Sequence, residues 1–220
     1  MNKRLLKTLV MALVLIFMLN SIAFANQPTG NTVVLTSETV KQLRANATRD
    51  GIDAATQDKL ITKLKNGESL DCMDPVKIEE AKKHLKVSKG APRAEYTFAD
   101  GSKYVIEVKV SDKKFISPMS SFTRDVNCYA GSFIYNANFW ANITTVDGTG
   151  QDYINSLGAW DIYSLYGYNY FQSFSITKQQ ESSSGPAKAR LSWQHVYNGT
   201  YNNWLQLNVG DDSWWATQSM

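Results

Sequence analysis

Residues 187–197 read AKARLSWQHVY, and the odd positions of this stretch are apolar or aromatic while the even positions are mostly polar. This alternation with a period of two is typical of an antiparallel β-strand that buries one face and exposes the other. His195 falls on the apolar face, which favours a histidine of the core over a general base. The stretch therefore predicts a sheet with one buried face.

Two further stretches alternate in the same way. In residues 133–143 the odd positions are apolar and asparagines lie between them, and in residues 205–209 Leu and Val alternate with Gln and Asn. Clusters of Gly, Ser, Asn and Asp at residues 147–150, 182–186 and 198–199 separate the runs, as turns do. Short strands that are separated by such turns predict a mainly β fold, either an antiparallel β-sandwich or a small barrel, and we favour the sandwich.

The residues before these strands have a different composition. Residues 26–114 contain 16 basic and 13 acidic side chains but three aromatic ones, whereas residues 115–220 contain 21 aromatic side chains, including all six tryptophans. We predict a leader and a small helical segment over residues 26–92 and an antiparallel β-sandwich domain over residues 93–220.

Three short helices and a hairpin are predicted in the charged part. The first helix extends from Ser37 to Arg44, the second from an N-cap at Asp53 to the Asn66-Gly67 stop, and the third from Asp74-Pro75 to near residue 90. The hairpin joins residues 94–98 to residues 103–110 through Asp100-Gly101. Such small helices bury too little surface to be stable alone, so we expect them to pack against the sheets.

The first 25 residues are typical of a secretory signal peptide. Lys3, Arg4 and Lys7 precede an apolar run, and Ala23-Phe24-Ala25 provides a small-x-small cleavage site. The apolar run is about 11 residues long, shorter than the roughly 20 residues that a membrane span requires. We expect cleavage after Ala25, a secreted or cell-wall-associated protein, and no transmembrane segment in the mature chain. Basic and acidic side chains are then equal in number, which argues against a nucleic-acid partner.

Cys72 and Cys128 are the two cysteines of the chain. In an exported protein they can form a disulfide, which would contribute about 4 kcal/mol through the loop that it closes. Two separate buried thiols are the alternative, and the sequence leaves both open.

Several short motifs resemble a group of uncharacterised small secreted proteins of Bacillus-like Gram-positive bacteria. They are GID at residues 51–53, TQ at residues 56–57, KLI at residues 59–61 and the hairpin residues Tyr96 to Ser102. WLQLNVGDDS at residues 204–213, within the aromatic β-rich part, resembles the same group. The resemblance implies a secreted protein but supplies no catalytic residue. Cys72 departs from the group's pattern, which has a small polar residue there.

A catalytic constellation is not evident in the sequence. It contains no G-x-S-x-G, H-E-x-x-H, P-loop or dinucleotide motif, and its two histidines, His84 and His195, lie in different halves. Nothing predicts a metal site or a cofactor. A carboxylate-dependent glycosidase leaves no local motif, so it stays a less favoured alternative that would use acidic residues of the aromatic part: Asp125, Asp147, Asp152, Asp161, Glu181, Asp211 and Asp212. We expect a protein that is not an enzyme.

Tryptophans that interrupt the polar faces are the best indication of function. Trp140 shares its register with Asn138 and Asn142, Trp204 shares its register with glutamine and asparagine, and Trp214 is adjacent to another tryptophan. An exposed indole beside amides is suited to sugar binding, because the ring meets the apolar face of a sugar and the amides meet its hydroxyls. These residues predict a module that binds cell-wall or other carbohydrate, unless a second sheet or the helical segment covers them.

A membrane-active toxin or bacteriocin-like protein is the alternative function. In it Trp214 and Trp215 would contact lipid at the headgroup level, so peripheral membrane contact stays open.

Overall fold

The computed structural model describes residues 35–219 apart from 89–90, 112–114, 117–120 and 149, and for residues 115 and 116 it describes the backbone alone. The predicted signal peptide and most of the leader lie outside the described residues. Everything below concerns the unit Val33–Met220.

In the part of the chain that the structure describes, three α-helices precede the strands. They are α1 (Ser37–Arg49), α2 (Ala54–Lys65) and α3 (Pro75–His84), with a 3-10 turn at Asp71–Met73 between the last two. The predicted caps of α2 and α3 are confirmed, because Asp53 and Asp74 accept hydrogen bonds from backbone amides of the first turns. α1 is longer than predicted, since Asn46 and Ala47 continue its buried face beyond Arg44. α3 is shorter and ends six residues before Gly90.

Among the described residues, ten strands form two antiparallel sheets, which confirms the predicted mainly β fold. Sheet 1 has the order β1-β2-β4-β5-β6, with β3 paired to β4, and sheet 2 has the order β10-β9-β8-β7. The strands are β1 (Arg93–Thr97), β2 (Lys103–Val110), β3 (Phe115–Ile116), β4 (Ser121–Ser132), β5 (Tyr135–Val146), β6 (Tyr153–Ser164), β7 (Tyr168–Lys178), β8 (Ala187–Val196), β9 (Thr200–Gly210) and β10 (Ser213–Gln218).

The inner faces of the two sheets build the core, as the alternation predicts. Phe139 of sheet 1 contacts Phe174 of sheet 2 with a ring-centroid distance of 5.1 Å, and the indole nitrogen of the buried Trp193 donates to the Tyr135 hydroxyl at 2.8 Å. Phe133 is buried but lies in the turn before β5 rather than in a strand. The β-sandwich therefore rests on the residues that the period-two pattern selects.

The helices share this core instead of forming one of their own. Leu43 of α1 and Leu60 of α2 belong to the same cluster of buried side chains as the inner face of sheet 1. The side-chain amide of Asn46 donates to the Phe133 carbonyl at 3.1 Å, which ties α1 to the turn between β4 and β5. The expected packing of the helical segment on the sheets is confirmed.

The two cysteines are free and buried, so the disulfide that the sequence left open is not formed. Cys72 lies in the 3-10 turn, where its amide donates to the Ser102 hydroxyl at 3.2 Å, and Cys128 lies on the inner face of β4 opposite Phe139. Burial raises the pKa of the Cys72 thiol to about 12. Both cysteines therefore act as small core residues.

None of the helices in the described ranges is long and apolar enough to cross a membrane.

Candidate functional site

A polar surface covers the outer side of sheet 1 along β4, β5 and β6. Residues paired across antiparallel strands point to the same face, so the register places Asn127 beside Trp140, Asp125 beside Asn142 and Asp161 beside Asn138. We call this surface the asparagine face; its members are Asp125, Asn127, Asn138, Trp140, Asn142, Asn155 and Asp161. Three of the five residues predicted to bind a ligand, Trp140, Asn138 and Asn142, lie together on it.

Trp140 occupies the middle of the asparagine face. Its side chain is 39% exposed, although its neighbours on β5, Phe139 and Ala141, are buried on the opposite face. A β-bulge in β6 lies directly across from it, between the pairs Phe139/Trp160 and Ala141/Leu157. Gly158 sits in this bulge, and a Cβ atom there would lie 3.0 Å from the Trp140 Cβ. The glycine thus leaves room for the indole, a role that sequence reasoning missed because an isolated glycine carries no such signal.

Hydrogen bonds hold the amides around Trp140 in place. The Asn142 amide donates to Asp125 Oδ1 at 2.7 Å, and the Asn155 amide donates to Asn142 Oδ1 at 2.7 Å. The Asn127 amide donates to Asn138 Oδ1 at 3.4 Å, a weaker contact. These bonds use the Asn138 oxygen but leave its two N–H donors without a protein acceptor in the described part of the chain. The exposed Asp161 carboxylate beside it adds acceptors, so both kinds of hydrogen-bonding group face the solvent.

The helical segment closes one end of the asparagine face. The Arg49 guanidinium lies over the Tyr129 ring, 3.8 Å from its centroid, and also donates to the Tyr129 hydroxyl. The buried Asp50 accepts a hydrogen bond from that hydroxyl at 3.1 Å. Burial raises the pKa of Asp50 to about 6, although Arg49 acts in the opposite direction. The helices therefore cover Tyr129 but leave Trp140 open.

Trp204 lies on the outer face of sheet 2, so the structure does not bring it near Trp140. The Arg190 guanidinium lies 4.5 Å from the Trp204 ring centroid and partly covers it. Arg190 also donates to Gln206 Oε1 at 2.9 and 2.6 Å, and Gln206 in turn donates to Asn208 Oδ1 at 2.7 Å. These amides are buried and bonded to one another, unlike those around Trp140.

Trp214 is 5% exposed and points into the molecule opposite Val209, with the Arg124 guanidinium 4.6 Å from its ring centroid. The prediction that it is exposed to a ligand is wrong, because β10 pairs with β9 in the register that turns Trp214 inward. Trp215 is on the opposite face, as predicted for neighbours in a strand, but is half-buried. Neither tryptophan offers the exposed ring that the membrane-active alternative requires.

The two histidines do not form a catalytic pair, because each contacts a different part of the protein. His195 is half-buried, its Nδ1 lies 2.9 Å from Asn169 Oδ1, and burial lowers its pKa. It faces the interior as predicted, but it lies near the end of β8, where the core no longer encloses it fully. His84 stacks on Tyr96 at a ring-centroid distance of 5.6 Å.

The acidic residues of the aromatic part include one that is fully buried. Asp152 accepts a hydrogen bond from the Val146 amide at 2.7 Å, and burial raises its pKa, with Glu181 and Asp212 adding to the effect. Asp125 and Asp161 belong to the asparagine face instead. Within the described ranges, His, Cys, Asp and Glu side chains form no group of three that could hold a metal ion.

Comparisons with known proteins leave the chain without an assigned family. No family model matches it, and no curated protein matches it. A hypothetical protein of Listeria monocytogenes, known from a crystal structure, matches 60% of this chain and 94% of its own length with 18% identity and a TM-score of 0.32.

Proposed function

We propose that the protein is an extracellular module without enzymatic activity that binds cell-wall or other carbohydrate through the asparagine face. Trp140 provides an apolar platform for the C–H face of a sugar ring. The side-chain N–H groups of Asn138, which donate to no acceptor among the described residues, would donate to sugar oxygens, and the Asp161 carboxylate would accept from sugar hydroxyls. Ligand sites typically combine an aromatic surface with a few oriented polar groups in this way. The signal peptide predicted from residues 1–25 supports secretion.

The exposure of Trp140 among prearranged amides carries this proposal. On the outer face of β5, the residues on both sides of Trp140 are the polar Asn138 and Asn142, whereas position 140 carries a large apolar ring. The hydrogen bonds that fix the Asn142 side chain lower the conformational entropy that this side chain would otherwise lose when a ligand binds. Gly158 preserves the space beside the indole.

Co-sedimentation of the purified protein with insoluble peptidoglycan and polysaccharides tests the proposal. Replacement of a central aromatic residue typically costs about 2 kcal/mol, so we expect Trp140→Ala to weaken binding about 30-fold. Tyr201→Ala, which removes an exposed aromatic ring far from the asparagine face, is the matched control and should bind as the wild type does. Trp204→Ala reports on sheet 2 and should also have no effect.

Three results would contradict the proposal. They are equal partition of wild type and Trp140→Ala into the supernatant, a loss of binding in Trp204→Ala alone, and release of soluble sugar from the bound polysaccharide. Dye release from liposomes by the wild type would instead support the membrane-active alternative. Secretion is tested separately, because the amino terminus of the protein from culture medium should be Asn26.

A further inference from the structure

Two exposed tyrosines lie on the outer face of sheet 2, at the end where β7 begins. Tyr168 is 72% exposed and Tyr170 is 57% exposed. They are two residues apart on β7, so both side chains leave the strand on the same face, about 7 Å apart. The residue between them, Asn169, points the other way and contacts His195. The asparagine face of sheet 1 makes no use of these two rings.

Amide side chains from the neighbouring strands lie beside the two rings. The register places Gln194 of β8 beside Tyr170, and Asn202 of β9 beside Gln194. The Gln194 amide donates to Asn202 Oδ1 at 3.3 Å, which leaves the Gln194 oxygen and the Asn202 N–H groups without a partner among the described residues. We call this surface the tyrosine face; its members are Tyr168, Tyr170, Ser173, Gln194, Thr200 and Asn202.

The tyrosine face is uncharged, and this limits what it can bind. None of the four strands described in sheet 2 carries an Asp or Glu residue. Arg190 is four residues from Gln194 along β8, or about 13 Å, and its guanidinium is bonded to Gln206 and lies over Trp204. Anionic polymers and anionic membranes are bound through clusters of lysine and arginine, which this face does not offer. A neutral polar ligand fits it better.

We propose that the tyrosine face is a second carbohydrate site, which binds a neutral glycan chain. Each tyrosine ring would stack on the C–H face of a sugar unit, while Gln194 and Asn202 would accept from and donate to its hydroxyl and N-acetyl groups. Tyrosine is suited to an exposed site of this kind because its ring is apolar and its hydroxyl stays in water. The site shares no residue with the asparagine face and does not depend on Trp140.

The two faces point in opposite directions. The inner faces of the sheets pack together, as the contact of Phe139 with Phe174 shows, so the outer faces lie on opposite sides of the sandwich. One molecule can therefore hold two glycan chains at once. Retention on an insoluble polysaccharide gains from both contacts, because the second contact forms at a high effective concentration after the first. The loss of either face should weaken this retention without abolishing it.

Isothermal titration calorimetry with chitotetraose, an uncharged oligomer of N-acetylglucosamine, tests the second site. We expect the wild type to bind two sugar molecules per chain. The double variant Tyr168→Ala/Tyr170→Ala should bind one, as should Trp140→Ala, and the combination of all three changes should bind none. Tyr201→Ala is the matched control, because Tyr201 is 51% exposed but pairs with His195 on the other side of the sheet; it should bind two.

The outcomes for the two faces can be told apart. One sugar per wild-type chain, lost in Trp140→Ala and kept in the double tyrosine variant, would overturn the second site and leave the proposed function intact. One sugar that is lost in the double tyrosine variant alone would support the tyrosine face and contradict the asparagine face. A wild type that binds no chitotetraose would overturn both.

Two further measurements examine how the tyrosine face binds. Tyr168→Phe/Tyr170→Phe keeps both rings and should retain the second site, whereas a loss equal to that of the alanine variant would contradict ring stacking. Binding to phosphatidylglycerol liposomes that the alanine variant abolishes, without any tyrosine-dependent binding of sugar, would replace the glycan with a lipid surface and overturn the proposal. Circular dichroism of each variant separates a loss of binding from misfolding.

Discussion

Asp50→Asn is the substitution whose effect on stability follows most closely from the structure. Asp50 follows α1 and is fully buried. Its Oδ1 accepts hydrogen bonds from Arg49 Nε and from the Tyr129 hydroxyl, each at 3.1 Å, and its carbonyl accepts one from Arg93 at 2.9 Å. Oδ2 has no hydrogen-bond partner among the described residues. Burial outweighs the attraction of the arginines and raises the pKa of this carboxyl from 3.8 to about 6.

The sign of the effect on stability follows from this difference in pKa. Between pH 3.8 and about pH 6 the folded protein keeps a proton on Asp50 that the unfolded chain has released. The stabilisation is therefore complete below pH 3.8 and is lost as the pH rises through about 6. The difference corresponds to about 3 kcal/mol of unfolding free energy, since one pKa unit is about 1.4 kcal/mol.

Urea denaturation of wild type and Asp50→Asn at pH 4, 5, 6 and 7 measures this effect directly. The variant cannot titrate at this position, so the difference in unfolding free energy between the two proteins should change by about 2.4 kcal/mol from pH 4 to pH 7, which is most of the full difference. Asp53→Asn is the matched control, because the exposed Asp53 has a pKa lowered by its hydrogen bonds to Thr56, which gives the opposite sign. Parallel pH profiles for wild type and Asp50→Asn would refute the reasoning.

Three further predictions concern the site, the cysteines and sheet 2. Gly158→Ala should weaken carbohydrate binding by about threefold to tenfold through displacement of Trp140 while the melting temperature changes little; unchanged binding would contradict the role of the bulge. Cys72 and Cys128 should resist a thiol reagent in the native protein and react in urea, and rapid labelling of the native protein would contradict their burial. Gln206→Ala should lower the unfolding free energy by about 2 kcal/mol, because it removes the acceptor of the half-buried Arg190 guanidinium and the donor to the buried Asn208 Oδ1; urea denaturation measures the loss, and a change below about 0.5 kcal/mol would contradict it.

The sequence predicted the fold well where one local signal decided it. The alternation over residues 187–197 became β8, and the N-caps Asp53 and Asp74 set the starts of two helices. These predictions succeeded because period-two burial and capping are properties of neighbouring residues. The length of α1 was predicted less well, because its last turn is held by the distant carbonyl of Phe133.

The candidate site depended more on contacts between strands. The register of Asn138, Trp140 and Asn142 was evident from one strand, but Asp125 and Asn155 reach them only through pairing with β4 and β6. Trp204 shows the same local pattern as Trp140 but is half-buried, since Arg190 of the neighbouring strand lies over part of its ring. The pairing of strands therefore distinguishes an exposed tryptophan from a half-buried one, and no single strand contains that information.

Nuclear magnetic resonance of the six tryptophan indole N–H groups, during titration with soluble peptidoglycan fragments and oligosaccharides, tests the role of the asparagine face most directly. The signal of Trp140 is assigned by its absence from Trp140→Phe. We predict that a binding oligosaccharide shifts this signal while the signals of the buried Trp193 and Trp214 stay in place. A shift confined to Trp204 or Trp215, or binding with no change at Trp140, would contradict the account.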